Sequence, residues 1–504
     1  MPKRSAGCFE CRKRKVRCDE ARPECHTCLR RGTKCPGYRP TQSFVLHEFG
    51  EKNDKPAIIR EDDNRYRYAH QRKAGGGSSS QTSTQQMVRV QPEHVRPLDE
   101  PIARRVSPIA IERVQFLGTF MSLYLPKAEY NALPPPSALI LSLPSIPASE
   151  TLLAAVDALA AAQIAVTNRS YTLINRSRSL YSTALSQMLL AIQSPTRQLE
   201  DETLLATYLL TLYEVFVGIT QGHGFFYHVQ GLLRLLKQRG PESFKSRLSM
   251  QIFHAIRYNA LTIGYHLRKA SMLDSPDWLA VTKKAAKVDP YVSLLDICIN
   301  IPRILERTDN LDETPQTLDQ LLNDASQLAQ RGLEWFSNFE KDGPRYHKVD
   351  IAQIEGFAEI VHDDRTFDPV FYFDTFGAGI CYMIYWMSML ILQSSTFKLL
   401  RQHRHLEPKD LFLWDRELSG YADSICRSVP YNCRPSAGHT AKFGSLTPLV
   451  VARKYFEAKK AEKEKTWAES VYQRARVPGL YSTPIPMEPL QAVQKLVQKS
   501  ERYL

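Results

Sequence analysis

The sequence predicts a mainly α-helical protein in three parts: a small cysteine-rich module over residues 1–40, a flexible linker over 41–102, and one large all-α domain over 103–504. Three observations predict it. Six of the ten cysteines fall between Cys8 and Cys35. A Gly/Ser/Thr/Gln tract runs from Gly75 to Gln86. Beyond it, apolar residues recur at helical spacing and few stretches alternate with period two.

The first 40 residues have too few apolar side chains for a core, and a module of that size needs a staple. They also hold twelve of the 66 Lys and Arg but only four of the 53 acids, so much of the net charge of +13 sits there. A basic surface of this kind seeks a polyanion, either nucleic acid or an anionic membrane. The first residues lead into charge with no apolar run, so no export signal is read. In a reducing compartment a disulfide framework is disfavoured and metal ligation favoured.

The linker carries the charged stretch Glu61-Asp62-Asp63-Asn64-Arg65 and then Gly75 to Ser80. Gly/Ser tracts behave as flexible coil.

In the large domain, Leu204, Tyr208, Leu212 and Phe216 recur every four residues behind a cap candidate at Asp201. Leu232, Leu233, Leu235 and Leu236 form a second stripe ending near Gly240-Pro241, and Leu152, Val156 and Leu159 lie in an alanine-rich stretch. Phe371–Leu400 reads as one long hydrophobic helical region, and Lys454–Arg476 as an exposed helix. Thr375–Phe397 is uncharged. Its apolar core is shorter than the ~20 residues of a membrane span and carries Gly377 and Gly379, so it reads as a buried helix.

The chemistry is concentrated in the spacing Cys8-x2-Cys11-x6-Cys18-x6-Cys25-x2-Cys28-x6-Cys35, the same C-x2-C-x6-C twice. Zinc takes four tetrahedral ligands, with thiolate among the favoured ones. Six cysteines complete two such sites only if two sulfurs are shared, which points to two Zn2+ ions in one cluster. A single zinc with two spare thiols is the alternative. Between Cys11 and Cys18 lie Arg12, Lys13, Arg14, Lys15, Val16 and Arg17, and Arg30 and Arg31 follow Cys28. Pinned at both ends by ligands, the Arg12–Arg17 segment is expected to form a short helix able to enter a major groove. A lone basic run would read as a solvated face or an import signal.

This stretch resembles the fungal Zn2Cys6 binuclear-cluster domain over residues 7–38, including Pro23 before the fourth cysteine. The resemblance implies that Cys8 and Cys25 bridge the metals, with Cys11 and Cys18 completing one zinc and Cys28 and Cys35 the other. It further implies double-stranded DNA with CGG-type half-sites as partner. Arg14 and Lys15 would stand at base edges, with Arg12, Lys13, Arg17, Arg30 and Arg31 toward phosphate. Arg14 stands where the best-known relative has lysine, which bears on the preferred triplet.

Residues 150–270 resemble the fungal-specific transcription factor domain through Tyr181–Leu185, Tyr213-Glu214, His228-x-x-Gly231 and Arg239-Gly240-Pro241. That implies an all-helical regulatory domain, a nuclear location and a small-molecule effector in some members. The apolar positions after Cys35 sustain no heptad, so the chain is expected to bind as a monomer or to homodimerise through the helical domain.

No G-x-S-x-G, H-E-x-x-H, P-loop or dinucleotide motif occurs, so no enzyme is read. His223 and His228 are expected at a helix start and in the core, Glu214 as a paired structural acid, and His403 and His405 at the surface. Cys298 and Cys381 read as small buried hydrophobes, and Cys426 and Cys433 as a weaker candidate redox pair. The expected function is zinc-dependent DNA-binding transcription regulation of RNA polymerase II genes. A cluster acting through protein or RNA is the competing reading.

Overall fold

The computed structural model describes residues 8–19, 21, 25–33, 35–36, 108–127, 133–217, 223–311, 314–357, 361 and 364–475. The chain divides into two compact units, Met1–Pro101 and Ile102–Leu504. The expected linker lies outside the described residues.

In the first unit, α1 (Phe9–Lys13) and α2 (His26–Leu29) are each about one turn long. Neither could persist alone, because helix nucleation is unfavourable and one turn adds little to offset it. Five of the six cysteines are buried and form their own cluster, with Cys18 packed against it.

The second unit is an array of helices around one main core and a small satellite cluster. These are α3 (Pro108–Tyr124), α4 (Pro135–Ser142), α5 (Glu150–Thr167), α6 (Tyr171–Gln193), α7 (Asp201–Val217), α8 (His223–Arg239), α9 (Arg247–Leu267), α10 (Pro276–Thr282), α11 (Pro290–Cys298), α12 (Ile301–Asp309), α13 (Pro315–Asp342), α14 (Phe376–His403), α15 (Pro408–Cys433), α16 (Gly438–Lys459) and α17 (Glu462–Ala475). Their starts carry local signals. Ser149, Ser170, Ser246, Thr314 and Thr375 each accept a backbone N–H as N-cap, and Pro290, Pro315 and Pro408 sit in first turns. Asp201 and Glu202 open α7, where negative charge favours the positive helix end, and every residue from Thr203 to Val217 is buried.

The uncharged stretch forms most of α14, which packs against α13, α15 and α16 and is buried along nearly its whole length. Its start differs from the expected Phe371–Leu400 helix. Val370–Phe373 forms strand β2, antiparallel to β1 (Tyr346–Val349), with Tyr346 opposite Phe373. Two devices break the helix there. Arg345 and Asp374 exchange hydrogen bonds across the strand ends, and the Thr375 hydroxyl caps the N–H of Ala378 at 3.2 Å. Lys454–Arg476 also differs: α16 stops at Lys459, Lys460 turns left-handed at φ 60°, and α17 folds back. Trp467, Ala468 and Val471 are buried there, with Trp467 packed on Phe367, so this is no freely exposed helix.

Candidate metal centre and nucleic-acid interface

The six cysteines converge. The Sγ atoms of Cys8, Cys11, Cys18 and Cys25 lie within 4.8 Å of one another, and so do those of Cys8, Cys25, Cys28 and Cys35. The two tetrads share Cys8 and Cys25. Sγ–Sγ separations are 3.6 Å for Cys8–Cys25, 3.8 Å for Cys8–Cys28 and Cys11–Cys25, and 3.9 Å for Cys11–Cys28. A disulfide needs about 2.05 Å. The edge of a tetrahedron with Zn–S bonds of about 2.3 Å is roughly 3.8 Å, so the sulfur cage fits zinc.

Backbone geometry repeats between the halves. The N–H of Cys11 donates to Cys8 Sγ at 3.3 Å, and that of Cys28 to Cys25 Sγ at 3.4 Å. Val16 N–H closes on Cys11 O at 2.9 Å, and Thr33 N–H on Cys28 O at 3.2 Å. The N–H of Cys8 donates to Cys18 Sγ. These bonds orient the sulfurs toward one another in the folded module. Burial pushes the Cys8 thiol up to about 12 and raises those of Cys11 and Cys25, so thiolates here call for cations beside them.

The basic run is placed differently from expectation. The helix covers Phe9–Lys13 only, and Arg14 and Lys15 form the turn that ends it. Lys15 is left-handed at φ 55°, which brings the chain round so that Cys18 can reach the sulfur cage. The equivalent position of the second half is Gly32 at φ 65°. Lys13, Lys15 and Arg17 are exposed, as are Arg30 and Arg31, and Arg14 is half-buried. The Arg12 side chain and Pro23 lie outside the described residues. Among the described residues no carboxylate pairs with these five exposed cations.

Asp19 was not singled out in the sequence. Its carboxylate accepts from the His26 and Thr27 backbone N–H groups at 3.1 and 3.2 Å, from Thr27 Oγ1 at 3.1 Å and from His26 Nδ1 at 2.7 Å. Burial opposes its ionisation. The bonds from His26 and Thr27 outweigh that and hold the carboxyl well below its usual range. Asp19 thereby ties the end of the first half to the start of α2. An Asp directly after Cys18, ahead of a one-turn helix with open N–H groups, was the available signal.

In the helical unit, the motif residues form one network. The Tyr181 and Tyr213 rings stack at 4.1 Å. Tyr181 Oη donates to Glu214 Oε1 at 2.6 Å and lies 2.8 Å from His228 Nε2, which must then be the donor. Burial lowers His228 to about 4, so the ring is neutral. A Cβ on Gly224 would fall 2.2 Å from Glu214 Cδ. Glu214 is thus a paired structural acid binding α6, α7 and α8, and Arg239 pairs with Asp201 at 2.6 Å across α8 and α7. The His223 side chain lies outside the described residues. Cys298 and Cys381 are buried. Cys426 and Cys433 are also buried and lie two turns apart on α15, about 10 Å along the axis, too far for a disulfide.

Residues 6–43 match the fungal Zn(2)-Cys(6) binuclear cluster domain, and residues 102–406 the fungal specific transcription factor domain. An aspercryptin biosynthesis cluster-specific transcription regulator of Emericella nidulans is 56% identical over 34 residues, 7% of this chain and 6% of that protein. An uncharacterized transcriptional regulatory protein of Schizosaccharomyces pombe is 42% identical over 43 residues, 8% of each chain. These matches span under a tenth of either relative. No solved structure matches. The cluster domain binds two zinc ions, which the two sulfur tetrads accommodate, and the family regulates transcription rather than catalysing a reaction. The chain belongs to the fungal specific transcription factor family, with a Zn(2)-Cys(6) binuclear cluster at its N-terminus.

Proposed function

We propose that this chain is a nuclear, zinc-dependent regulator of RNA polymerase II genes that reads CGG-type triplets in the major groove through Arg12–Arg17. One observation carries the reading. Lys15 is exposed in a left-handed conformation that a lysine adopts only at a cost of about 1–2 kcal/mol, where the matching position of the other half is glycine. A side chain kept there against its conformational preference implies a task for its ammonium group. Lys15 and Arg14 stand at base edges, because guanine O6 and N7 both accept. Arg12, Lys13, Arg17, Arg30 and Arg31 face phosphate and fix the register.

Two zinc ions would be held by the two tetrads, with Cys8 and Cys25 shared, Cys11 and Cys18 in one and Cys28 and Cys35 in the other; their charge would neutralise the clustered thiolates and keep the turn in place. Residues 1–40 form the DNA-binding module, 41–102 the linker, and 103–504 the regulatory domain, which homodimerises or answers to a small-molecule effector.

The test is in vitro selection of DNA by the full-length protein, with zinc and with chelator. Zinc-dependent enrichment of CGG supports the reading: one triplet means a monomer, and two at fixed spacing mean a dimer. No enrichment in either condition refutes it and moves the function of the cluster to a protein or RNA partner.

A further inference from the structure

A partly open cavity of about 110 Å³ lies in the helical unit, walled by residues of α3, α4, α7, α8, α9, α11, α14 and α16. It marks a discontinuity in the core. Val215, Phe225, Val229 and Ile263 form a satellite cluster separate from the main one, and Val215 and Phe225 face the cavity beside Tyr208 and Leu212 of the main core.

A cavity of about 150 Å³ lined by aliphatic and aromatic side chains suffices to bind benzene, and this one approaches that size. A merely imperfect core would be apolar throughout. This one is not. Tyr258 and Asn259, adjacent on α9, both line it, and both Tyr258 Oη and Asn259 Nδ2 are buried without a hydrogen-bond partner among the described residues. Ser137, Thr440 and Thr262 of the wall have partners: Ser137 Oγ lies 3.2 Å from Thr440 Oγ1, and Thr262 donates to Asn259 O at 2.9 Å. Other buried polar atoms of the chain, such as those of Gln163, Ser394 and Trp467, also lack a partner, but none of these residues lines the cavity; Tyr258 and Asn259 stand side by side on its wall, where one guest acceptor can serve both. No Asp, Glu, Lys, Arg or His lines the cavity, so a charged guest would lose its hydration with no compensating partner.

We propose that this cavity binds a compact, neutral, ring-sized molecule whose single carbonyl-type oxygen accepts hydrogen bonds from Tyr258 and Asn259. The apolar body fills the gap between the satellite cluster and the main core. Because eight helices meet there, occupancy joins α7 and α8 to α9, α14 and α16. The inference deepens the reading of the helical unit as the effector-sensing part of a regulator, and rests on that reading for its link to transcription.

The experiment uses full-length, zinc-loaded protein and two probes of equal size, cyclohexanone and protonated cyclohexylamine. Thermal melting of the helical unit and titration calorimetry are the readouts. Cyclohexanone should raise the melting temperature saturably and cyclohexylammonium should not. Tyr258→Phe should melt higher than wild type without ligand, because an orphaned donor is gone, yet bind cyclohexanone about tenfold more weakly. Ala255→Phe, which fills the cavity from its wall, should abolish binding. The proposal is overturned by no saturable shift in the wild type, by an equal shift with the ammonium probe, or by unchanged affinity in Tyr258→Phe. The first of these would mean a cavity holding only water. Ketone binding without CGG selection would leave the ligand site standing and remove the DNA reading. CGG selection without ketone binding would do the reverse.

Discussion

Replacing Lys15 by glycine should strengthen the fold of the cluster module and weaken its grip on DNA. Lys15 holds φ 55°, and Gly32 holds φ 65° at the matching place in the second half. Relief of the left-handed lysine is worth about 1–2 kcal/mol. The greater unfolded-state freedom of glycine takes back roughly 0.5–1 kcal/mol. The net gain is about 0.5–1 kcal/mol. Against this, loss of one good base contact costs about 1–3 kcal/mol, roughly a 5- to 150-fold loss of affinity for the selected triplet. Two assays separate the terms: zinc retention against a competing chelator, and fluorescence anisotropy on a CGG duplex and a scrambled one. Lys15→Gly should retain zinc at least as well as wild type while its preference for CGG collapses. Gly32→Lys should show the opposite pattern, with weaker zinc retention and near-normal triplet preference. If Lys15→Gly binds CGG as tightly as wild type, Lys15 does not read bases. If it loses zinc more readily, Lys15 is not strained at its left-handed position.

Zinc removal should unfold residues 8–36 and leave the helical unit intact, because the module has only its sulfur cage for a core; circular dichroism should lose little helix while DNA binding disappears. Gly224→Ala should destabilise the helical unit by about 1–3 kcal/mol, since the new Cβ falls on the Glu214 carboxylate. Adding Glu214→Ala should recover part of the lost melting temperature, and no recovery would deny the clash. Three histidines in the helical unit, His228, His254 and His439, are held near 4 by burial. Their unfolded forms bind protons near 6.5, so between about 6.5 and 4 the unfolded state carries more protons and stability falls as pH falls. The melting temperature should drop across that window and level below it, and His228→Gln should flatten the slope by up to one proton; an unchanged slope would mean His228 titrates normally.

Local features were readable from local sequence. The C-x2-C-x6-C repeat implied its own closure, because short loops between ligands leave few ways to bring six sulfurs together, and the structure shows both tetrads sharing Cys8 and Cys25. The α7 stripe, the end of α8 at Gly240 and the buried character of Thr375–Phe397 likewise followed from spacing and composition. The same reasoning failed where a hydrophobic run has no periodicity. Val370–Phe373 and Phe376 onward look alike by composition, and only pairing with Tyr346–Val349 separates strand from helix.

The metal chemistry, the basic surface beside it and the mainly helical class are local properties legible in the chain, since each depends on residues within a few turns of one another. Other features depend on residues far apart in the chain. Tyr181 meets Glu214 and His228 across 33 and 47 positions. The cavity gathers side chains from Tyr124 to Thr447, and its unpartnered donors become visible only when every neighbour is in place. Lys15 stands between these cases. Its identity is plain in the sequence, but its left-handed turn is imposed by Cys18 returning to the sulfur cage, and that constraint belongs to the folded cluster.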